Sequence, residues 1–342
     1  MIRLICFACL FLGLFSCRDN SVPILHVFIW SSYIKPELLK EFEKKYNCRV
    51  FIDTYDSNES MYAKIKLGAS GYDILVPSNY YLTIMKQQDM LQTLDHKQIQ
   101  NLHLLDPLYI AKIGADSLKV GVPYMVSTTG ISYREDKVSN FEPSWGIFSR
   151  SDMRGRMTML NEVREALGAA LLYKGYSINS INPAEIAEAT DVIIEWKQNL
   201  AKFESEQYKN GLASAEFLVS QAYSGDAAQI EIETPEIAFA YPVEGGALSA
   251  DCLVIPKDAK QIALAYAFIN FLLEPRIAAE NIIYTRYLAP NTGAYELLPE
   301  KLRQNKILFP TREQLEKLEV IQYLGKDSHL YNQAWDKIKT AN

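Results

Sequence analysis

The chain has 342 residues, of which 49% are hydrophobic and 22% charged, and a formal net charge of -6. That length is too great for one ordinary core and points to two domains, while the composition is globular, with no repeat or low-complexity tract. An acidic surplus without a basic patch argues against a nucleic-acid binder, which must neutralise phosphates, and tolerates a cationic ligand.

At the amino terminus Arg3 precedes the apolar run LICFACLFLGLF, followed by Ser16 and Cys17. The run is too short to cross a bilayer as a mature helix, and its charged start and small residue fit an export signal. LFSC resembles a lipobox, which implies a signal peptide over residues 1–17 and a lipid on Cys17. Phe15 is bulkier than the residue usual in that motif, and an export signal with an incidental cysteine is the plainer alternative. RDNSVP then supplies a polar tether. Of five cysteines, Cys6 and Cys9 leave with the signal. Cys48 and Cys252 remain, too few for a disulfide framework and without metal-ligand spacing. Both lie in or beside apolar strand-like sequence, where a buried free thiol is the simplest reading.

Strand-like and helix-like segments then alternate, which predicts an α/β architecture with mostly parallel sheets. HVFIW, RVFIDTY and DILVP read as strands of a first domain. Pro36 opens an amphipathic helix, and Ser57 or Asn58 caps another over SNESMYAKIKLGAS. A second block begins near residue 125, with RMTML as a strand and NEVREALGAALL as a helix capped by Asn161. PAEIAEATDVIIEWKQNL places Ile186, Ala189, Ile193 and Trp196 on one core-facing stripe. DCLVIP is a buried strand, and QIALAYAFINFLL a helix that ends before Pro275.

Enzyme signatures are missing: there is no G-x-S-x-G, no P-loop, no G-x-G-x-x-G and no H-E-x-x-H. The 4 histidines lack ligand spacing. Glu162 and Glu165, one helical turn apart, imitate an acid/base pair, although a solvated helix face explains them as well. Tyrosine is abundant, with 21 residues, and Tyr33, Tyr80, Tyr81, Tyr223 and Tyr287 fall at expected strand ends, where loops gather function. Glu165, Asp226 and Asp251 join them. Aromatic faces beside unpaired carboxylates suit an organic cation, bound through cation–π contact and charge-assisted hydrogen bonds. A ferric-ion receptor is a second reading, because the adjacent Tyr80 and Tyr81 offer oxygen ligands, and a hydrolase of cationic substrates is a third.

The ordered motifs FIWSSYIKP, TYDSNESMYAKIK, YDILVPSNYYL, YPVEGGALSADCLVIP, INFLLEP and RYLAPN resemble those of the periplasmic spermidine/putrescine-binding proteins, receptors of polyamine ABC importers. The resemblance runs from about residue 24 to the carboxyl terminus. It implies a two-lobe periplasmic binding protein fold of type II, with a ligand cleft between lobes joined by crossing strands. The first lobe is expected over residues 22–126 plus 250–296, and the second over 127–249 plus 297–342. It also implies putrescine or spermidine as ligand, permease subunits in the membrane as partner, no metal or cofactor and no catalysis. Carried over by position, Trp30, Ser31, Tyr33, Ser78 and Tyr80 form one wall of the cleft. On the other side stand Glu165 as an ammonium ligand, with Glu162 beside it, and Tyr223 in a position usually occupied by tryptophan. Asp226 matches an acidic position of putrescine-type members, Asp251 an ammonium-binding aspartate and Tyr287 a lining tyrosine. Ser249 replaces an aromatic that is usual there, and Gln322 lies close to a further ligand position. The order Trp30-Ser31 and the pair Gly225-Asp226 look more like putrescine-type members.

Overall fold

The computed structural model describes residues 22–341; Cys17 and the signal segment lie outside the described residues. The strands are β1 (Ile24–Trp30), β2 (Arg49–Tyr55), β3 (Ile74–Leu75), β4 (Gly121–Arg134), β5 (Met157–Met159), β6 (Leu200–Phe203), β7 (Val219–Tyr223), β8 (Ile237–Ala240), β9 (Ala247–Val254) and β10 (Glu319–Val320). They pair in the order β2-β1-β3-β9-β4-β7-β5-β6, with β10 on β9 and β8 on β4.

One strand belongs to both halves of this order. From Gly121 to Thr128, β4 pairs antiparallel with β9, and from Thr129 to Tyr133 it pairs antiparallel with β7. Its 14 residues interrupt the expected parallel pattern. β1 with β2 and β3, and β5 with β6 and β7, are parallel as alternating strands and helices require, whereas every pairing of β4 is antiparallel. The sheet is therefore mixed, because the strand that links the halves runs against those on either side.

Two main cores flank this crossing. The first packs Leu25, Phe28, Phe42, Val254, Phe268 and Ile282; the second packs Trp145, Phe148, Leu167, Ile193, Trp196 and Tyr331. The stripe expected at Ile186, Ala189, Ile193 and Trp196 is buried in the second core. Burying one such side chain stabilises by about 1.5 to 3 kcal/mol, so each half has its own core. The expected boundary at residue 297 is corrected: Leu298, Leu302, Leu308, Leu315 and Leu318 pack in the first core, and the chain enters the second only at Ile321. These leucines continue an apolar face already begun by Leu288 and Ala294, so no linker separates them from it.

Local signals mostly hold. Ser57 caps the helix Asn58–Lys66, its hydroxyl accepting from Ser60 N at 3.1 Å. The helix after β5 runs Val163–Tyr173 with Glu162, not Asn161, at the cap position. Asn161 is diverted, because its side-chain oxygen accepts from Lys339 Nζ at 2.6 Å. Cys48 and Cys252 are free and buried. Among the described residues no single helix is long and apolar enough to cross a membrane.

Candidate functional site

A cavity of about 800 Å³ opens where the strand ends of the two halves meet, and Trp30, Ser31, Tyr33, Ser78, Tyr80, Glu165, Tyr223, Asp226, Asp251 and Tyr287 all line it. It is built from β1 outward. Trp30 ends β1, with its indole N–H on the carbonyl of Val76 at 3.0 Å and its ring 4.7 Å from that of Tyr55. Ser31 is exposed at the rim. Ser32 then adopts a φ of 58°, a left-handed conformation that non-glycine residues adopt uncommonly. Beyond it Tyr33 is buried, and its hydroxyl donates to Asp251 Oδ2 at 2.6 Å. The carbonyl of Tyr33 accepts from Tyr124 Oη at 2.7 Å, which in turn accepts from Asn281 Nδ2 at 2.8 Å.

Asp251 lies inside β9 rather than at a strand end, opposite Met125 of β4. Its other oxygen accepts from Ser78 Oγ at 2.6 Å. Ser78 is fixed by Asn58, whose amide nitrogen reaches Ser78 Oγ at 3.0 Å and whose oxygen takes the Ser78 N–H at 3.0 Å. The same amide nitrogen donates to Tyr80 Oη at 3.2 Å. Burial pushes the Asp251 carboxyl up to about 6, with the hydroxyls of Ser78 and Tyr33 opposing the rise. Hydroxyls hold this aspartate without neutralising it.

The opposite wall comes from the loop and first turn after β5. Glu165 is 7% exposed, and its Oε2 has no hydrogen-bond partner among the described residues. Burial raises it to about 7, against a hydrogen bond from Thr129 and the charge of Arg164. Glu162 is raised to about 7 by burial, then by the negative charges of Glu59, Glu165 and Asp56. Arg164 is spent elsewhere: its guanidinium reaches the carbonyl of Gln322 at 2.7 Å and Asn179 Oδ1 at 2.7 Å, and lies over the ring of Tyr331. Tyr223 ends β7, and burial, then Glu165 and Glu162, drive its phenol well above the usual value, so it remains neutral.

Asp226 is the exception among the carboxylates. It accepts the hydroxyls of Tyr208 at 2.7 Å and Tyr287 at 2.9 Å, and its charge is met by Lys209 Nζ at 3.3 Å. Asp226 thus lines the cavity, as expected, but with a cation of the protein's own already beside it. Tyr287 follows a helix, Pro275–Thr285, rather than a strand. It reaches Asp226 across Gly225, where an added Cβ would meet the Tyr287 ring at 2.4 Å. Tyr81 turns out of the cleft, donating to Glu59 Oε1 at 2.9 Å, so Tyr80 and Tyr81 make no convergent oxygen pair for iron. Among the described residues no group of three His, Cys, Asp or Glu could hold a metal. Gln322 does not line the cavity, whereas Ser249 does. The sequence reading missed Asn58, Tyr124, Tyr208, Lys209 and Asn281, all joined to the site across long stretches of chain; the signal for Asn58 was its place in SNESMY, at a strand end.

The remaining lining carboxylates, Asp56, Glu59, Glu204 and Glu206, extend this acidic character towards the rim. Aromatic walls, neutral hydroxyls and carboxylates raised by burial can select an organic cation and desolvate it.

A model of the bacterial extracellular solute-binding protein family matches residues 37–311. The putrescine-binding periplasmic protein SpuD of Pseudomonas aeruginosa is 32% identical, over 96% of this chain and 94% of the relative. Among solved structures, the spermidine/putrescine ABC transporter substrate-binding protein PotD of Streptococcus pneumoniae aligns with a TM-score of 0.84 at 32% identity, covering 93% of this chain and 99% of that one. The TpPotD lipoprotein of Treponema pallidum aligns with a TM-score of 0.84 at 33% identity, covering 92% and 99%. The fold is thus the α/β periplasmic binding protein fold. The chain therefore belongs to the bacterial extracellular solute-binding proteins, in their spermidine/putrescine-binding branch, and is a binding protein rather than an enzyme.

Proposed function

We propose that the protein captures polyamines, putrescine in preference to spermidine, and delivers them to the permease of an ABC importer. The observation that carries this reading is the pair Asp251 and Glu165, two buried carboxylates without a basic hydrogen-bond partner, on opposite walls of one aromatic-lined cavity. Charge buried without a counter-ion is costly, and a ligand that supplies two ammonium groups removes both costs together.

Magnitudes support this. Burying a four-carbon chain contributes roughly 3 kcal/mol at about 0.8 per methylene. Each ammonium–carboxylate hydrogen bond adds about 1.5 to 3 kcal/mol, less desolvation and ordering. The gross sum is about 6 to 9 kcal/mol, of the same order as the about 8 kcal/mol that micromolar binding needs. The preference for a diamine rests on Asp251 and Glu165 as the two ends; a third ammonium needs another acceptor or stays solvated, losing part of its binding energy. The SpuD relative is named for putrescine and the Streptococcus pneumoniae PotD for both amines. Export and anchoring rest on LFSC, in a family that includes the TpPotD lipoprotein.

Asp251→Asn and Glu165→Gln are each expected to weaken putrescine binding by about 2 to 5 kcal/mol, the usual loss on breaking a buried charge pair. The empty variants remain folded and, above pH 7, gain stability, since each loses a buried charge whose raised pKa means that ionisation opposes folding at high pH. Titration calorimetry with thermal melts checks both, and unchanged binding would place the site elsewhere. Competition calorimetry is expected to rank putrescine above spermidine; spermidine binding tenfold tighter would refute the preference. Cys17→Ser is expected to move the protein from the membrane to the soluble fraction, and unchanged detergent partitioning would remove the anchor from the account.

A further inference from the structure

Asp226 differs from the other acids of the cleft in already holding a cation of the protein's own. Its Oδ1 receives the Tyr287 hydroxyl at 2.9 Å and the Lys209 ammonium at 3.3 Å, and its Oδ2 receives the Tyr208 hydroxyl at 2.7 Å. Tyr208 and Lys209 are consecutive, opening the helix Tyr208–Ala213. The turn that buries Tyr208 completely therefore also delivers Lys209 to the cavity wall. The lysine side chain keeps 35% of its surface exposed and that of Asp226 only 10%, so Lys209 approaches the carboxylate from the open side. A ligand ammonium bound for Asp226 has to arrive from that same side. Asp251, by contrast, is held by hydroxyls, and Glu165 Oε2 by nothing among the described residues.

We propose that Lys209 is a tethered competitor for the Asp226 carboxylate, and that it sets how many ammonium groups the cleft accepts. A diamine that spans Asp251 and Glu165 leaves the Lys209–Asp226 pair in place. A triamine that addresses its third ammonium to Asp226 brings two like charges to one carboxylate, and binds there only after the lysine has swung out. Repulsion of the extra group is a specificity device distinct from attraction of the preferred one. Lysine suits the task, being a compact charge on a flexible stem that is already partly solvated, so the selection is graded rather than absolute. This inference rests on the polyamine reading above, and deepens it by naming the residue that distinguishes diamine from triamine.

The test titrates putrescine and spermidine into the wild-type protein, Lys209→Met, Lys209→Arg and the double variant Lys209→Met/Asp226→Asn. Loss of one positive charge strengthens attraction for every polycation, so the informative quantity is the ratio of the two affinities. Lys209→Met is expected to shift that ratio about tenfold towards spermidine, within the coupling measured for close charge pairs. Lys209→Arg keeps the wild-type ratio, and Asp226→Asn in the methionine background restores it. Equal tightening for both amines, or an unchanged ratio, would overturn the proposal. So would a shifted ratio that survives Asp226→Asn, because the lysine would then act on something other than that carboxylate. A wild-type protein that binds neither amine refutes the polyamine reading and the inference with it, whereas normal wild-type binding with an unmoved ratio refutes the lysine alone.

Discussion

The cleft depends on a carboxylate that is buried, hydrogen-bonded and still uncompensated. Asp251 sits within β9, where Tyr33 and Ser78 each donate a hydroxyl to one of its oxygens at 2.6 Å. Neutral donors lower the cost of the charge without cancelling it, and the pKa remains raised, at about 6. The position of that side chain follows from the sheet. β9 pairs with β4 on one side and meets β3 at Leu75 on the other, so the backbone carrying Asp251 cannot shift without disturbing both neighbours. An electrostatic site needs such rigidity, because dipoles that must reorganise on binding give back part of what they contribute.

Around this centre the support is layered. Tyr33 is held from behind by Tyr124 and Asn281, and Ser78 by both ends of the Asn58 amide. Tyr287 packs 5.3 Å from the Tyr33 ring and also donates to Asp226, linking the Asp251 end to the opposite half of the molecule. Gln229 makes a second tie, donating to the carbonyl of Thr285 at 2.6 Å. These contacts tie the helix Ser224–Glu233 to the segment around Tyr287, while β4 pairs with strands of both halves. A ligand that binds both walls adds a further tie, which is how occupancy favours a closed arrangement over an open one.

Much of the site was legible in the sequence, because its walls are short stretches following strands. Trp30, Ser78 and Tyr223 stand at or just after the ends of β1, β3 and β7, where side chains project beyond the sheet edge. The long β4 was less legible: Gly121, Pro123 and Gly130 break the apolar pattern, yet Pro123 sits at a register shift and Gly130 lies where the Phe239 ring leaves no room for a Cβ. Lys209 gave no signal, since QYKNG has no periodicity that distinguishes a surface lysine from one aimed at an aspartate 17 residues away. The allocation of residues 298–318 was also hidden, because apolar leucines fit either core and only the tertiary path decides between them. Local pattern reports the element, whereas the pairing of charges across the chain is a property of the fold.

The central claim is that binding converts buried, partly protonated carboxylates into fully ionised ones. In the empty cleft Glu165 and Glu162 are raised to about 7 and Asp251 to about 6, and an adjacent ammonium lowers all three. Protons are therefore released on binding near neutral pH, and affinity falls as the pH drops through 7 towards 6. Calorimetric titration of putrescine at pH 7 in buffers of different ionisation enthalpy measures that release directly. The account predicts an observed enthalpy that varies linearly with the buffer's, with roughly half a proton or more released per ligand. An enthalpy independent of buffer, together with an affinity unchanged between pH 6 and 8, would contradict it.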